Sequence, residues 1–188
     1  MNNRQKSLLY AAIIGLIIVA IFLGFLSSIT NPVSWLLIAV LLLIPMLDRT
    51  RREEKKIVWK EEYSVGIESL DQDHKTLIDL LNKFITAYDF AMSESFEREA
   101  LDELIAYTKY HFDREEALML KHHYPDVVEH KAEHKKMFEQ VEKFEDLYID
   151  KGHEALEEIS QFLTNWLINH INGTDKAYTK HLTQCGVK

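Results

Sequence analysis

Residues 111–134 read HFDREEALMLKHHYPDVVEHKAEH, and this stretch contains two pairs of residues of the types that bind metal ions. His111 and Glu115 are four residues apart, and His130 and His134 have the same spacing. Residues four apart lie on the same face of an α-helix, so each pair can bind one metal ion or two adjacent ions. The stretch therefore predicts two consecutive helices that each present two ligands on one face.

The chain after Trp59 has a helical pattern throughout, and helix breakers divide it into four pieces of bundle length. We predict that Ser95 caps the second helix, that Pro125 starts the third and that Gly152 marks the junction before the fourth. Because short connections favour antiparallel neighbours, the predicted fold class is all-α, an antiparallel up-down four-helix bundle. The predicted helices span residues 68–90, 96–121, 126–150 and 154–181.

Residues that can bind metal interrupt the apolar stripe of every predicted helix. A single inward histidine is usually a hydrogen-bonded core residue. Burying five imidazoles and a glutamate without partners, however, costs several kcal/mol for each group, which a marginally stable bundle cannot absorb. The joint pattern therefore predicts a cation in the bundle core. The interrupting residues are His74, His111, Glu115, His130, His134 and His170.

Asp175 is a seventh candidate ligand, although it does not align with His170 on a regular helix. The two residues are five apart, which places them about 140° from alignment on an ideal α-helix. A π-bulge or a locally unwound turn would align them, and Asn172-Gly173 lies where such a distortion costs least. We therefore predict a distorted turn between the two residues.

Other polar residues lie off these stripes. Glu116 faces a different direction from Glu115, so it is predicted to be a solvated carboxylate or one that contacts a ligand from outside the site. Four histidines lie at predicted helix ends or off the stripe and are predicted to be exposed, and five acidic residues form a predicted solvent face. These residues are His122, His123, His153 and His181, and Glu139, Glu142, Glu145, Asp146 and Asp150.

The N-terminal region has a different composition. No Asp, Glu, Lys or Arg occurs between Ser7 and Leu47. Residues 1–56 contain seven basic and three acidic side chains, so the net charge of −8 leaves −12 for residues 57–188. Nucleic acid is therefore excluded as a partner, because binding to phosphates requires a basic face.

The uncharged region predicts a two-helix transmembrane hairpin. Residues 8–28 and 33–47 are the two apolar spans, and a polar hinge ending in Pro32 separates them. The second span is at the short end for a crossing and contains Pro45, so a re-entrant second segment is the alternative. A cleaved signal peptide is disfavoured, because the first run is long and a second one follows it. The predicted organisation is a hairpin over residues 1–48, a charged juxtamembrane linker over 49–60 and the bundle over 61–185.

Basic residues flank both ends of the hairpin and are absent from its hinge, which predicts that both termini are cytoplasmic. The expected location is therefore the cytoplasmic (inner) membrane, crossed more than once, with the C-terminal domain in the cytoplasm. Ala20 and Gly24 form a small-xxx-small pattern that would suit helix contact between protomers of a homo-oligomer. The basic residues are Arg4, Lys6, Arg49, Arg51, Arg52, Lys55 and Lys56.

About residues 57–182 resemble the hemerythrin family, in particular bacterial hemerythrins. All seven ligand positions of the family spacing H…HxxxE…HxxxH…HxxxxD are present. The neighbouring residues also match the family, in W-x5-VGI-x6-H (59–74), HFxxEExxM (111–119), YP (124–125) and WLxxHI (166–171). The resemblance does not cover the hairpin. It implies a non-heme diiron centre with an oxo or hydroxo bridge, in which Glu115 and Asp175 bridge the two Fe ions. In that arrangement His130, His134 and His170 hold one iron, and His74 and His111 hold the other.

The resemblance also implies what this centre does. The iron with two histidines has one open position, where the family binds O2 reversibly, and an apolar lining keeps water and reductants away. Phe112, Trp166 and Leu167 are the expected pocket residues. The favoured function is a membrane-anchored O2-binding protein, a carrier, a store or a local supply for a membrane oxygen-consuming enzyme, and not itself an enzyme. The alternatives are a diiron oxidoreductase acting on peroxide or nitric oxide, and an O2 or redox sensor that signals through the hairpin.

Overall fold

The computed structural model describes the backbone of residues 3–53, 56–89 and 93–188, and the side chains of residues 8–47, 56–89 and 93–188. The predicted end of the first bundle helix at residue 90 lies outside these ranges, as do the side chains of six of the seven flanking basic residues, all but Lys56. The chain divides into two compact units, Met1–Lys56 and Ile57–Lys188. Throughout the described residues the secondary structure is helical, without strands.

The first unit is a helical hairpin of α1 (Asn3–Ser27) and α2 (Pro32–Glu53). Polar atoms hold the turn between them: Asn31 accepts a hydrogen bond from the amide of Val33 at 3.0 Å and donates to the carbonyl of Gly24 at 3.3 Å. Buried Ser34 donates to the carbonyl of Ile21 at 3.3 Å. The two helices therefore pack closely beside the turn, where the backbone polar groups have partners.

Gly24 explains how close that packing is. A Cβ atom at this position would collide with Oγ of Ser34. Gly24 therefore lies in the contact between α1 and α2, whereas Ala20 is exposed. The small-xxx-small pattern predicted for contact between protomers thus includes a residue that α2 already covers.

The second unit contains four long helical stretches around two clusters of buried apolar residues. The predicted cap of the second stretch is wrong: the helix begins at Glu94, and Oγ of Ser93, not of Ser95, accepts a hydrogen bond from the amide of Phe96 at 3.3 Å. Ser95 lies inside the first turn, where its hydroxyl contacts that of Ser93 at 2.8 Å. The elements are α3 (Glu68–Asp89), α4 (Glu94–Lys121), α5 (Val127–Lys151), a 3-10 turn (Gly152–Ala155), α6 (Leu156–His170), a π turn (Ile171–Asp175) and α7 (Lys176–Gln184).

The π turn confirms the distortion predicted between His170 and Asp175. It separates α6 from α7 without ending the helical path, and Gly173 within it has open space around its Cβ position. A π turn contains one more residue than an α turn, so it absorbs the extra residue in the five-residue spacing. Asp175 is consequently buried on the side of the bundle where His170 also lies.

The segment before α3 is bound to the bundle. The side-chain amide of Asn82 on α3 accepts from the amide of Ile57 at 2.9 Å and donates to its carbonyl at 2.8 Å. Trp59 packs edge-on against Tyr63 with ring centroids 5.9 Å apart, and Lys75 lies over the Trp59 ring. Contacts with the bundle therefore begin within the segment predicted as linker.

Candidate metal centre

The seven predicted ligands come from α3, α4, α5, α6 and the π turn, and all are buried. None is more than 6% exposed. Each of these elements also contributes apolar residues on the same side, so the helical period that forms the core also directs the ligands inward. The structure therefore brings all seven predicted residues to one place inside the bundle.

Within that place the ligand atoms form two groups that have both carboxylates in common. One group contains three histidines and the other contains two, and the potential ligand atoms of each group lie within 4.8 Å of one another. The shared residues are Glu115 and Asp175. The first group adds His130, His134 and His170 to them, and the second adds His74 and His111.

Many of these atoms face one another without forming hydrogen bonds. Nε2 of His74 lies 3.3 Å from Oδ2 of Asp175, and Nε2 of His170 lies 3.1 Å from Oδ1. Both nitrogens of His74 and both oxygens of Asp175 are nevertheless buried without a hydrogen-bond partner among the described residues. Atoms bound to one metal ion at about 2.1 Å lie about 3 to 4.2 Å apart. The observed distances and the lack of hydrogen bonds both fit atoms that surround a cation.

The charge states of two of the ligands, His134 and Asp175, suit metal binding. Burial, together with the neighbouring His130 and His170, lowers the pKa of His134 to about 2. Burial alone would raise the pKa of Asp175, but the adjacent His170 and His74 outweigh it and hold that pKa far below its usual range. Metal ions bind neutral imidazole and ionised carboxylate. His134 and Asp175 are therefore in these forms at neutral pH.

Residues outside the ligand set hold two of the ligands. Nδ1 of His134 lies 3.0 Å from Oε1 of Glu116, which also pairs with Lys131. Glu116 thus has the second of its two predicted roles, contacting a ligand from outside the site. The hydroxyl of fully buried Tyr178 donates to Oε1 of Glu115. Burial and the charges of Glu115 and Asp175 raise the pKa of Tyr178 well above its usual value, so the hydroxyl keeps its proton.

Tyr178 was not among the residues predicted from sequence. Its position three residues after Asp175 puts it on the same helix face, and this spacing is the signal that could have identified it. Asp73 was also missed, because it lies beside His74 and off the apolar stripe. It is only 3% exposed, and its contacts are with Arg114, Tyr107 and His111.

The three predicted pocket residues lie close to the histidine-rich group. Phe112 stacks on His134, with ring centroids 3.5 Å apart and planes 2° apart, and Trp166 stacks on His170 at 4.2 Å. Trp166 and buried Leu167 also line a narrow apolar cavity, together with Leu77, Leu81, Leu104, Thr108, Met137 and Leu163. It leaves about 20 Å³ for the centre of a water-sized sphere, enough for one small molecule.

Residues 65–182 match the family model described as the hemerythrin HHE cation binding domain. The chain belongs to the hemerythrin family. The bacteriohemerythrin of Stenotrophomonas maltophilia is 34% identical over 132 residues, covering 68% of this chain and 85% of the relative. That of Methylococcus capsulatus is 33% identical over 119 residues, covering 62% and 88%. A crystal structure of wild-type hemerythrin aligns with a TM-score of 0.57 at 32% identity, covering 68% of this chain and 98% of that one.

Proteins of the hemerythrin family, to which this chain belongs, bind iron and O2 and are generally not enzymes. The buried cluster of His, Glu and Asp fits the cation site expected of the group. The matched region does not include the hairpin, so the family says nothing about how residues 1–64 are used.

The remaining histidines of this hemerythrin-family chain differ in part from expectation. His123 is exposed as predicted, but His122, His153 and His181 are half-buried. His153 contacts the buried carboxylate of Glu97 at 2.8 Å, and His181 donates to the carbonyl of His122 at 2.8 Å. Sequence position at a helix end does not reveal such partners, because they come from other helices. The predicted acidic solvent face of α5 is exposed along its whole length.

Proposed function

We propose that this chain is a membrane-anchored diiron protein that binds O2 reversibly and carries it, stores it or supplies it to a membrane oxygen-consuming enzyme. The observation that supports a pair of irons is the sharing of Glu115 and Asp175 by two separate groups of buried ligand atoms. A single ion would not need both groups. In this proposal His130, His134 and His170 bind one iron, and His74 and His111 bind the other.

When bound, the ferrous pair supplies the electrons for reversible O2 binding. The contribution of the chain is to hold the ligands and to exclude competitors. Tyr178 and Glu116 contact one carboxylate shared by the two groups and one imidazole, and so would hold their orientation toward the irons. Each has its polar atom directed at a ligand rather than at solvent.

The apolar lining favours reversible binding over oxidation. Phe112 and Trp166 cover one face each of His134 and His170, and Leu167 is only 8% exposed. Water and protons would assist loss of an electron to O2, and an apolar enclosure keeps both away. This lining is the feature that favours an O2 carrier over an oxidase.

Repeated oxygenation of the full chain tests the function. The protein is loaded with iron, reduced without oxygen, exposed to O2 and then degassed while the visible charge-transfer spectrum is recorded. Recovery of the reduced spectrum over many cycles is the expected result. Irreversible oxidation, or turnover with peroxide or nitric oxide, would replace the carrier proposal with the oxidoreductase alternative.

The proposal that the hairpin lies in a membrane depends on its surface. Within the described residues, Leu8–Ser27 is a 20-residue helical segment of mean hydropathy 2.8, none of it buried, and at about 1.5 Å per residue it is long enough for a ~30 Å hydrocarbon core. The apolar part of α2, Pro32–Leu47, is shorter. Exposed Tyr10 and Trp35 lie towards opposite ends of the hairpin, as expected for side chains at the two membrane interfaces.

The chain has a single cysteine, exposed Cys185, which allows a direct test of topology. A membrane-impermeant maleimide should label Cys185 in inside-out vesicles and not in intact cells. Ser28→Cys in a Cys185→Ser background should give the opposite pattern, because Ser28 lies in the turn of the hairpin. Labelling of both cysteines from one side would contradict two crossings and favour the re-entrant alternative, and full release by alkaline carbonate would exclude an integral membrane protein.

Removal of the hairpin separates the two proposals. Deletion of residues 1–48 should give a soluble protein that still binds iron, because the deletion keeps Ile57 and its hydrogen bonds to Asn82 of the bundle. The measurement is the iron content per chain, and we expect it to be the same as in the full-length protein. A truncated protein that fails to fold would show that the hairpin belongs to the folded unit.

A further inference from the structure

Asp73 is a buried carboxylate that has no assigned role in the binding of iron or O2 described so far. It is 3% exposed and lies on α3 next to His74. Nη1 of Arg114 on α4 lies 3.2 and 3.0 Å from its two oxygens, and the hydroxyl of Tyr107 donates to Oδ1 at 3.0 Å. Burying a carboxylate costs free energy unless the charge is paired and hydrogen-bonded. These contacts offset that cost, but they do not explain why a charged residue lies at this position.

The third neighbour of Asp73 is a predicted iron ligand. Oδ2 of Asp73 lies 3.6 Å from Nδ1 of His111. That nitrogen is buried and makes no hydrogen bond within the described part of the chain, while Nε2 of the same ring lies 3.7 Å from Oε2 of Glu115. The gap is only slightly longer than an N–H···O bond, so a small rotation of either side chain closes it.

The same arrangement occurs fully formed on the other side of the centre. There Nδ1 of His134 contacts Glu116 at 3.0 Å while Nε2 faces the ligand cluster, and Lys131 pairs with Glu116. Asp73 with Arg114 thus corresponds to Glu116 with Lys131. Each group of ligands has one histidine whose outer nitrogen faces a carboxylate that is itself paired with a cation.

We propose that Asp73 is a positioning residue for His111: it accepts the Nδ1 proton and so leaves the lone pair of Nε2 directed at the metal. Histidine ligands commonly donate their second ring nitrogen to a carboxylate in this way, which fixes tautomer and orientation. The role in metal binding rests on the proposed diiron function. The tautomer of His111 does not, because Oδ2 of Asp73 lies 3.6 Å from Nδ1 of His111 and can accept its proton whether or not a metal is bound.

Nitrogen NMR of the metal-free full chain, labelled with 15N-histidine in detergent, tests the tautomer directly. In the wild type the His111 proton should reside on Nδ1. In Asp73→Asn that preference should be lost, whereas Asp79→Asn, an exposed aspartate on the same helix, should leave it unchanged. Asp73→Glu keeps the carboxylate and should restore the wild-type tautomer. An unchanged His111 spectrum in Asp73→Asn would overturn the proposal.

Iron binding supplies the second measurement. Asp73→Asn should lower the affinity for one of the two irons by about 10 to 100-fold, measured by competition with a chelator. It should also raise the midpoint reduction potential of the iron centre, because a negative charge has been removed. Arg114→Gln leaves Asp73 in place and should move the potential in the opposite direction, a pattern that general loosening of the site would not produce. Equal iron affinity in Asp73→Asn and Asp79→Asn would contradict the role in metal binding. A wild type that takes up fewer than two irons would instead contradict the diiron function, and the NMR result would still decide the tautomer.

Discussion

The hairpin and the bundle have opposite patterns of burial. In the hairpin large apolar side chains are exposed along both helices, and the polar groups of the turn are hydrogen-bonded. In the bundle apolar side chains are buried, and several polar atoms at the centre have no hydrogen-bond partner in the part of the chain that the structure describes. Each pattern is unfavourable for a protein in water alone. The hairpin suits an apolar surrounding, and the bundle suits a cation at its centre.

The difference shows that two kinds of missing interaction can be recognised by the same test. In the function proposed above, the exposed apolar area is the surface that a bilayer would cover, and the buried polar atoms are the site that a cation would fill. The following changes alter one region at a time, so each should affect one pattern and leave the other intact.

The largest effect is expected from changing the π turn. Insertion of one alanine after Gly173 adds a second extra residue, which rotates Asp175 and α7 by about 100° relative to α6. The shared carboxylate of Asp175 and the contact of Tyr178 with Glu115 should both be lost, and with them the binding of the proposed iron pair. Deletion of Gly173 is the matched control: it leaves a four-residue spacing that a regular α-helix keeps aligned, so iron should be retained. Equal iron content in the two variants would contradict the role of the π turn.

Replacement of one ligand should come next. His74→Ala removes a ligand of the two-histidine group, and we expect the iron content to fall or O2 binding to disappear. The control is His123→Asn, since His123 is exposed and has a φ of 56°, a conformation that asparagine tolerates. Iron analysis and the visible spectrum provide the measurement, and a wild-type result for His74→Ala would remove it from the ligand set.

A smaller effect is expected in the hairpin. Gly24→Ala forces a Cβ against Oγ of Ser34 and should destabilise the packing of α1 on α2 by about 1 to 3 kcal/mol. The double variant Gly24→Ala/Ser34→Ala removes that oxygen and should recover, while Gly15→Ala, which meets open space, should have no effect. Amide exchange in α1 and α2 measures the packing. Iron binding should be unchanged in all three variants.

The smallest effect is expected where the chain joins the bundle. Asn82→Ala removes both hydrogen bonds to the backbone of Ile57 and should lower the free energy of unfolding by about 1 kcal/mol, because this segment is partly exposed and water can replace the lost partners. Thermal unfolding of the protein lacking residues 1–48 measures it. No change in the melting temperature would mean that the segment is held by Trp59 and its neighbours alone.

Helical periodicity predicted much of the fold and of the centre, because it reports the direction of each side chain around its own helix. It identified His74 and Glu115 as inward residues, and the five-residue spacing between His170 and Asp175 predicted a distorted turn, which the structure shows to be a π turn. The same periodicity places Leu118, three residues after Glu115, on the inward face, but the structure buries Met119 fully and Leu118 only partly. Small rotations of a helix are set by its neighbours, which its own pattern does not contain.

Contacts between helices were the part that sequence did not predict. Asp73 lies off the stripe of α3, and its burial depends on Arg114 and Tyr107 of α4. The pairing of His153 with Glu97 likewise joins residues far apart in the chain. A pattern along one helix gives the direction of a side chain but not the group that it meets. The outer partners of the ligands therefore required the structure.

The partnerless atoms of His74 and Asp175 also have a consequence for the lifetime of the protein. Without iron they reduce the stability of the bundle, and iron that binds the folded chain stabilises it by mass action. Proteases act on the unfolded fraction, so the amount of this protein in a cell should follow the supply of ferrous iron even at constant synthesis. Pulse-chase measurements in iron-replete and iron-starved cells would reveal that dependence, and His74→Ala, which is expected to hold less iron, should show a smaller difference between the two conditions.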